Sequence, residues 1–211
     1  GQGMRYGGAT KDLRALAEKL GIPVAMSASG IGAIPADHPL ALGLVARNGP
    51  YQANHSARQA DVLLALGVRF DDRTSSSWIP GFSFTIPPTK LIHVDIDPDE
   101  IARNYPVALG LMAEVRTFLR QLLAQIDARM GKGKMPAERG PWLDAIAGYR
   151  KEWETFIAPG FKADTTPIAP QRAAHEIDRS LPEDAILVSD IGVHHNSLIQ
   201  FCKPKRPDSL I

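Results

Sequence analysis

One cysteine, Cys202, stands in the 211 residues. That excludes an internal disulfide framework and a thiolate metal cluster, and it suits a reducing compartment. No apolar run approaches the roughly 20 residues that span a bilayer. The opening "GQGMRYGG" lacks the basic-then-apolar order of a secretory signal. Charge of one sign is scarce as well: the net charge is +1, too little for the broad positive surface that nucleic acid or an acidic membrane attracts. The expectation is a cytoplasmic protein with neither nucleic acid nor membrane as partner, in which any recognition of anions is local. No complete G-x-G-x-x-G follows a strand, so the usual NAD fingerprint is missing. No G-x-S-x-G or catalytic carboxylate pair supports a hydrolase. His38, His55, His93 and His175 show no ligand spacing and read as structural, and the side chains of the adjacent His194 and His195 point oppositely in an extended segment. No metal site is expected within the chain, and Cys202, beside Phe201, reads as a small packed residue.

What is present is ordinary globular composition, with 44% hydrophobic and 22% charged residues, enough for one substantial domain or one domain and part of another. The opening "GQG" looks as if a strand preceded it, and "KPKRPDSLI" closes on apolar residues, so an excised segment of a longer polypeptide is expected. "TKDLRALAEKLG" predicts an amphipathic helix with Thr10 as cap and Gly21 at the left-handed C′ position. "IPVAMSA", "DVLLALG" and "KLIHVDI" predict strands. "GIGAIPADHP" reads as a loop, "PYQANHSARQA" as a helix, and "DPDEIARN" as a helix capped by Asp97 with Pro98 at its first position. "AEVRTFLRQLLAQIDARM" carries a longer buried stripe. Short helices alternating with strands apolar on both faces predict an α/β fold, a parallel sheet covered on both sides.

"GKGKMPAERG" has no periodicity and reads as a linker. The expected division is a first unit over residues 1–130, a linker with a helix over 131–165, and a partial second α/β unit over 166–211. The second unit would contain the helix "APQRAAHEIDRSL" and a fresh strand in "DAILVSDIG".

Ligands of parallel sheets bind at the carboxyl ends of the strands, here Ser27–Gly30, Gly67–Arg73 and Asp95–Asp97. "GVRFDDRTSSSW" packs Arg69, Asp71, Asp72 and Arg73 just where a strand surfaces. Two arrangements fit: a surface turn whose arginines and aspartates pair with one another, or guanidinium forks for a phosphate or diphosphate beside Gly67. Asp95 is placed as a partner for ribose hydroxyls, and the glycines of "GQG" permit a tight turn beside a phosphate. In "SDIGVHHN" the two histidines suit a phosphate or proton transfer.

Together "LAEKLGIPV", "GIGAIPADHPLALG", "ADVLLALGVRFDDR", "KLIHVDIDPDEI" and "LPEDAILVSDIG" resemble, in order and over nearly the whole chain, the acetolactate (acetohydroxyacid) synthase large subunit and related thiamine diphosphate-dependent enzymes. "GVRFDDR" is the most specific of these motifs. The resemblance implies a Rossmann-like three-layer sandwich of about six parallel strands for the first unit, and the start of the diphosphate-binding domain after it. It implies a FAD or nucleotide site at Gly1 and Gly3, at Ser27 and Ala28, at Gly67, Val68, Arg69, Asp71 and Arg73, and at Asp95 with Ile96. It further implies thiamine diphosphate contacts at Gly192, Val193 and His194, with Mg2+ held by a motif further on.

In the family FAD is largely structural, and many relatives keep the fold without it. The chain departs from the synthase pattern in two places. Ala46, Arg47, Asn48 and Gly49 stand where the synthases read G-M-H-G, and Ala113, Glu114 and Val115 where they read G-D-A; a side chain in place of each glycine limits close approach by a cofactor. Val193 replaces a glutamine and removes a donor. The activating glutamate and the magnesium motif are not among these residues, so the chain alone is expected to be inactive. The whole enzyme is expected to decarboxylate a 2-keto acid and join carbon units, as a homodimer or homotetramer. The alternatives are a flavin-free lyase or decarboxylase of the same superfamily and a non-catalytic adenine-nucleotide-binding module.

Overall fold

The computed structural model describes residues 1–130, 137–203, 205–206 and 209–210. Helices α1 (Gln2–Tyr6) and α2 (Thr10–Leu20) lead into strand β1 (Val24–Met26). Then come β2 (Ala41–Leu44), α3 (Tyr51–Gln59), β3 (Val62–Leu66), β4 (Lys90–Asp95), β5 (Leu109–Met112) and α4 (Val115–Met130). Three further helices follow: α5 (Gly140–Phe161), α6 (Pro170–Ser180) and α7 (Val193–Phe201).

Every ladder is parallel. β1 pairs with β2, and β3, β4 and β5 form a second set in that order. Alternation along the strands builds the layers. Leu64, Leu66 and Val94 face a core with Leu13, Leu16, Val115 and Leu119 of α2 and α4. Leu63, Ala65 and Leu91 face the opposite core, with Ala53, Ala57 and Ile146 of α3 and α5. Strands buried on both faces need no polar alternation, which is why they read as uninterrupted apolar runs.

The described residues hold five strands in a pair and a triplet, where one sheet of about six was expected. The reason lies at the edge of β3. Gly67 N faces β4 and donates to Val94 O at 2.8 Å, so Leu66 O points away from β4. Leu66 O is met by the amino group of Gly1 at 2.9 Å, and Gly67 O by Gly3 N at 3.1 Å. Two bonds from a segment already turning into α1 do not make a ladder.

Gly21 takes the left-handed position after α2, with φ 62°. The residue before α2 is Ala9, with no side-chain cap, because the helix already includes Thr10. Asp97 does cap, accepting from Asp99 N at 3.0 Å, but what it starts is a single 3-10 turn, Pro98–Glu100. α1, β2 and β5 were not anticipated. The linker residues 131–136 lie outside the described residues. α5 packs on α3, where Arg150 donates to Ala41 O at 2.7 Å and Tyr149 to Gln59 Oε1 at 3.0 Å.

"DAILVSDIG" was expected as a strand, yet among the described residues only Leu187 pairs, in a parallel bridge with Leu210. Ile186 and Val188 on either side of it are exposed.

Candidate functional site

The carboxyl ends of β1, β3 and β4 form a ledge built on glycine-to-glycine contact. A Cβ at Gly67 would lie 2.6 Å from Gly3 Cα, and one at Gly3 would lie 2.8 Å from Gly67 Cα. A Cβ at Gly1 would strike Gly67 O at 2.1 Å, and one at Gly30 would sit 3.2 Å from Gly1 Cα. Gly67 also has φ +55°, the left-handed region that disfavours side chains. These glycines therefore let backbone segments touch one another.

Ser27 is buried, its carbonyl accepting from Gly30 N at 2.8 Å, and Ala28 packs partly against Ile31, Leu44 and Ala46. Val68 is half-buried, and its carbonyl meets the ring of the interior His93 at 2.9 Å. Asp95 is 7% exposed and accepts from Asp97 N at 3.1 Å, whereas Ile96 next to it is 70% exposed. The β4 exit thus offers a buried carboxylate and an open apolar face side by side.

The arginines and aspartates of the β3 exit do not pair among themselves. Asp71 stabilises its own turn, accepting from Thr74 N at 2.8 Å. Asp72 pairs with Arg47, from the loop after β2, at 3.4 Å. Arg69 and Arg73 are exposed and make no ion pair among the described residues, so their guanidinium groups face outward. The loop is anchored from beneath by Phe70, whose ring meets Phe84, His93 and Tyr105 edge-on at 5.3–5.5 Å. Trp78 Nε1 donates to Phe70 O at 2.9 Å.

A partly buried polar chain ties this loop to the one after β2. Asn54 of α3 clasps Ala46, accepting from its N at 3.1 Å and donating to its O at 2.8 Å. Ser83 Oγ donates to Asn54 Oδ1 at 3.0 Å and, its proton thus committed, accepts from Ser76 Oγ at 2.7 Å. Neither Asn54 nor Arg47 was anticipated as part of a site. The hydroxyls of "TSSSW" were the only sequence signal for this network.

The third element is the start of α7. Gly192 precedes the helix in extended conformation, followed by Val193 and His194, both exposed. Burial lowers the pKa of His195, and the charges of Arg73 and His194 lower it further. Arg73 of the β3 loop and the amino end of α7 therefore share one positive field. His195 Nδ1 and Asn196 Oδ1 are buried and have no hydrogen-bond partner among the described residues. The N–H groups at the amino end of α7, its helix dipole and the charge of Arg73 together suit an anion such as a diphosphate.

For a second, dinucleotide ligand the ledge is unequal. Gly67, Arg69, Arg73, Asp95 and Ile96 fit a nucleoside diphosphate. Toward β2, Ala46 is packed among Ile31, Leu44 and Leu210, and Arg47 reaches across to Asp72, which does not fit a flavin ring. The other departure, Glu114, turns back on its own helix, accepting from the backbone of Arg116 and Thr117 at 2.8 Å each. Among the described residues no group of three or more His, Cys, Asp or Glu side chains could hold a metal ion. No described helix is long and apolar enough to cross a membrane.

A layered parallel α/β unit with a ledge at its strand exits defines the class, and comparison with known proteins narrows it. The family described as "Thiamine pyrophosphate enzyme, central domain" matches residues 1–122. The chain is 35% identical to a probable acetolactate synthase large subunit of Methanocaldococcus jannaschii, over all of this chain and 34% of that protein. It is 34% identical to the chloroplastic acetolactate synthase 1 of Zea mays, over 93% of this chain and 29% of that protein. With the large subunit of Escherichia coli acetolactate synthase isozyme 3 it shares 30% identity, over 98% of this chain and 35% of that protein. The chain belongs to the thiamine pyrophosphate enzyme central-domain family, and it spans about a third of the length of these relatives.

Proposed function

We propose that this chain is the scaffold domain, with the start of the cofactor domain, of a thiamine diphosphate-dependent carboligase of the acetolactate synthase type acting on 2-keto acids. The likeness to three acetolactate synthases over 93–100% of the chain supports the reaction class. The role of the residues is supported by the charge of Arg73 being felt at His195, in the first turn of α7. Arg73, Gly192, Val193 and His194 would hold one edge of the diphosphate. Bound thiamine diphosphate supplies an electron sink for the decarboxylation of the keto acid. The chain's own part is to place positive charge and unpaired N–H groups where the diphosphate lies, with the α3–α5 layer keeping the ledge rigid.

Mg2+, the activating carboxylate and the remaining substrate contacts would come from the rest of a homodimeric or homotetrameric enzyme. In this reading residues 1–130 and 166–211 belong to different domains joined by the 131–165 segment, and the chain by itself is inactive.

The test is a steady-state titration of the complete protein with thiamine diphosphate and pyruvate. Arg73→Ala is expected to raise the thiamine diphosphate concentration for half-maximal rate about tenfold, the loss of one charge-assisted contact, with the pyruvate KM unchanged. An unchanged thiamine diphosphate requirement refutes the role of Arg73. Absence of any thiamine diphosphate-dependent consumption of 2-keto acids refutes the reaction class.

A further inference from the structure

The loops leaving β2 and β3 are joined although their strands are not neighbours. β1 lies beside β2, and residues 1–3 run along the free edge of β3. A contact between the two loops therefore passes over the exits of Ser27–Gly30 and Gly67, the middle of the ledge. Two layers of contact make the crossing. The lower one is partly buried: Ala46 to Asn54 to Ser83 to Ser76. The upper one is Arg47, whose guanidinium donates to Asp72 Oδ1 at 3.4 Å and to Ser77 Oγ, while Ser77 Oγ donates to Asp72 Oδ1 at 2.6 Å.

The receiving loop is held in an unusual shape. Ser76, Ser77 and Trp78 have φ of +53°, +58° and +55°. Three successive left-handed residues without glycine are costly, and persist only where surrounding contacts over-determine them. Ser77 N to Asp72 O at 2.7 Å, Trp78 N to Ser75 O at 3.2 Å and the Trp78 indole supply such contacts. Arg47 and Ser76 thus bind a loop that is already stiff, so the crossing cannot be lifted by small adjustments.

We propose that the Arg47 bridge limits the size of the ligand on the ledge: it favours an adenine nucleoside diphosphate over a dinucleotide whose second half is a tricyclic flavin. The inference rests on the ledge being a nucleotide site. The diphosphate end stays open, because Arg69 is exposed with no ion pair among the described residues and Ile96 and Asp95 frame the β4 exit. A flavin at the far end would be a rigid plane entering between the loops, and would have to displace Arg47 from both Asp72 and Ser77. That bridge is half-exposed, with 54% side-chain exposure on each partner, so its strength is that of a screened surface pair. The discrimination it yields is therefore graded, on the order of tenfold.

The complete protein is titrated with ADP and with FAD by calorimetry, and the intrinsic flavin fluorescence gives an independent reading for FAD. ADP is expected to bind at least about tenfold more tightly than FAD. Arg47→Gly is expected to bring the two affinities within about threefold while leaving ADP affinity unchanged, which also reports that the variant is folded. Arg47→Lys, which keeps the charge, is expected to keep the preference in part. Wild-type protein that binds FAD as tightly as ADP, or that purifies yellow, overturns the proposal. So does an Arg47→Gly variant whose ADP-to-FAD ratio is unchanged. Binding of neither nucleotide overturns it by removing the ledge as a nucleotide site, and leaves standing the thiamine diphosphate reading, which the Arg73 titration measures separately.

Discussion

The contact between Gly3 and Gly67 separates two explanations of a glycine at a strand exit: room for a ligand, or room for the chain itself. An alanine at Gly67 would combine two penalties. Its φ of +55° costs a side chain about 1–2 kcal/mol, and its Cβ would lie 2.6 Å from Gly3 Cα and 3.0 Å from Gly3 N. Backbone atoms cannot swing aside like a flexible side chain, and overpacking of this kind costs about 1–3 kcal/mol. Gly67→Ala should therefore lose roughly 2–5 kcal/mol, a large part of the ordinary stability of a domain.

Two controls divide that sum. Gly8 has φ +59° with nothing within 4 Å of its added Cβ, so Gly8→Ala should show the conformational part alone, about 1 kcal/mol. Gly3 lies inside α1, with its added Cβ 2.8 Å from Gly67 Cα, so Gly3→Ala should show the steric part, about 1–3 kcal/mol. The double variant Gly3→Ala/Gly67→Ala should cost less than the sum of the singles, because both disrupt one contact. Urea denaturation followed by circular dichroism measures all four. A Gly67→Ala protein as stable as Gly8→Ala, but with nucleotide binding abolished, would refute the backbone-contact account in favour of a ligand-approach role.

Glu114 and Cys202 give further tests. Hydrogen bonds from the backbone of Arg116, and then of Thr117, hold the Glu114 carboxyl below its usual value. A depressed carboxylate contributes stability above the unfolded pKa near 4.5 and loses it as pH falls through the lower folded value. Glu114→Ala should cost about 1 kcal/mol at pH 7, the size of a lost helix cap. That deficit relative to wild type should shrink below pH 4.5; a deficit constant across urea titrations from pH 7 to 3 would exclude the cap. Burial, with the nearby Asp178 charge, pushes the Cys202 thiol up to about 12. The folded protein should accordingly resist iodoacetamide at pH 8 and react only in denaturant, and rapid labelling of native protein would contradict the packed environment.

The layered fold was legible because its signals are local. β3 and β4 read as uninterrupted apolar runs since helices cover both faces, and Gly21 announced the end of α2 through the one backbone geometry that favours glycine there. β2 and β5 escaped because each has four residues, "ALGL" and "LGLM", too short for alternation to show and each containing a glycine. The strand foreseen at "DAILVSDIG" has the composition of one but finds a single partner residue. A sheet is a property of neighbours, and composition does not report them.

The site was legible in the same unequal way. Ser27, Gly67, Val68 and Asp95 could be placed on one ledge from their positions at strand exits, since parallel strands all end on the same side. What the sequence could not convey was partnership. The spacing in "GVRFDDR" invites pairing of Arg69 or Arg73 with Asp71 or Asp72, but neighbouring residues on a strand exit diverge. Asp72 instead finds Arg47, 25 positions away, and Asp71 turns to the backbone of Thr74. Asn54 carries no motif at all; its role arises because α3 passes beneath the loop after β2 and places one amide where it can both donate to and accept from Ala46. The same displacement of partners leaves Arg69 and Arg73 without an ion pair among the described residues. Asp72, by engaging Arg47, both frees the arginines for an anion and builds the barrier to a larger ligand. Asp72→Asn should therefore act on the barrier alone, raising FAD affinity relative to ADP as Arg47→Gly does, while leaving ADP affinity in place.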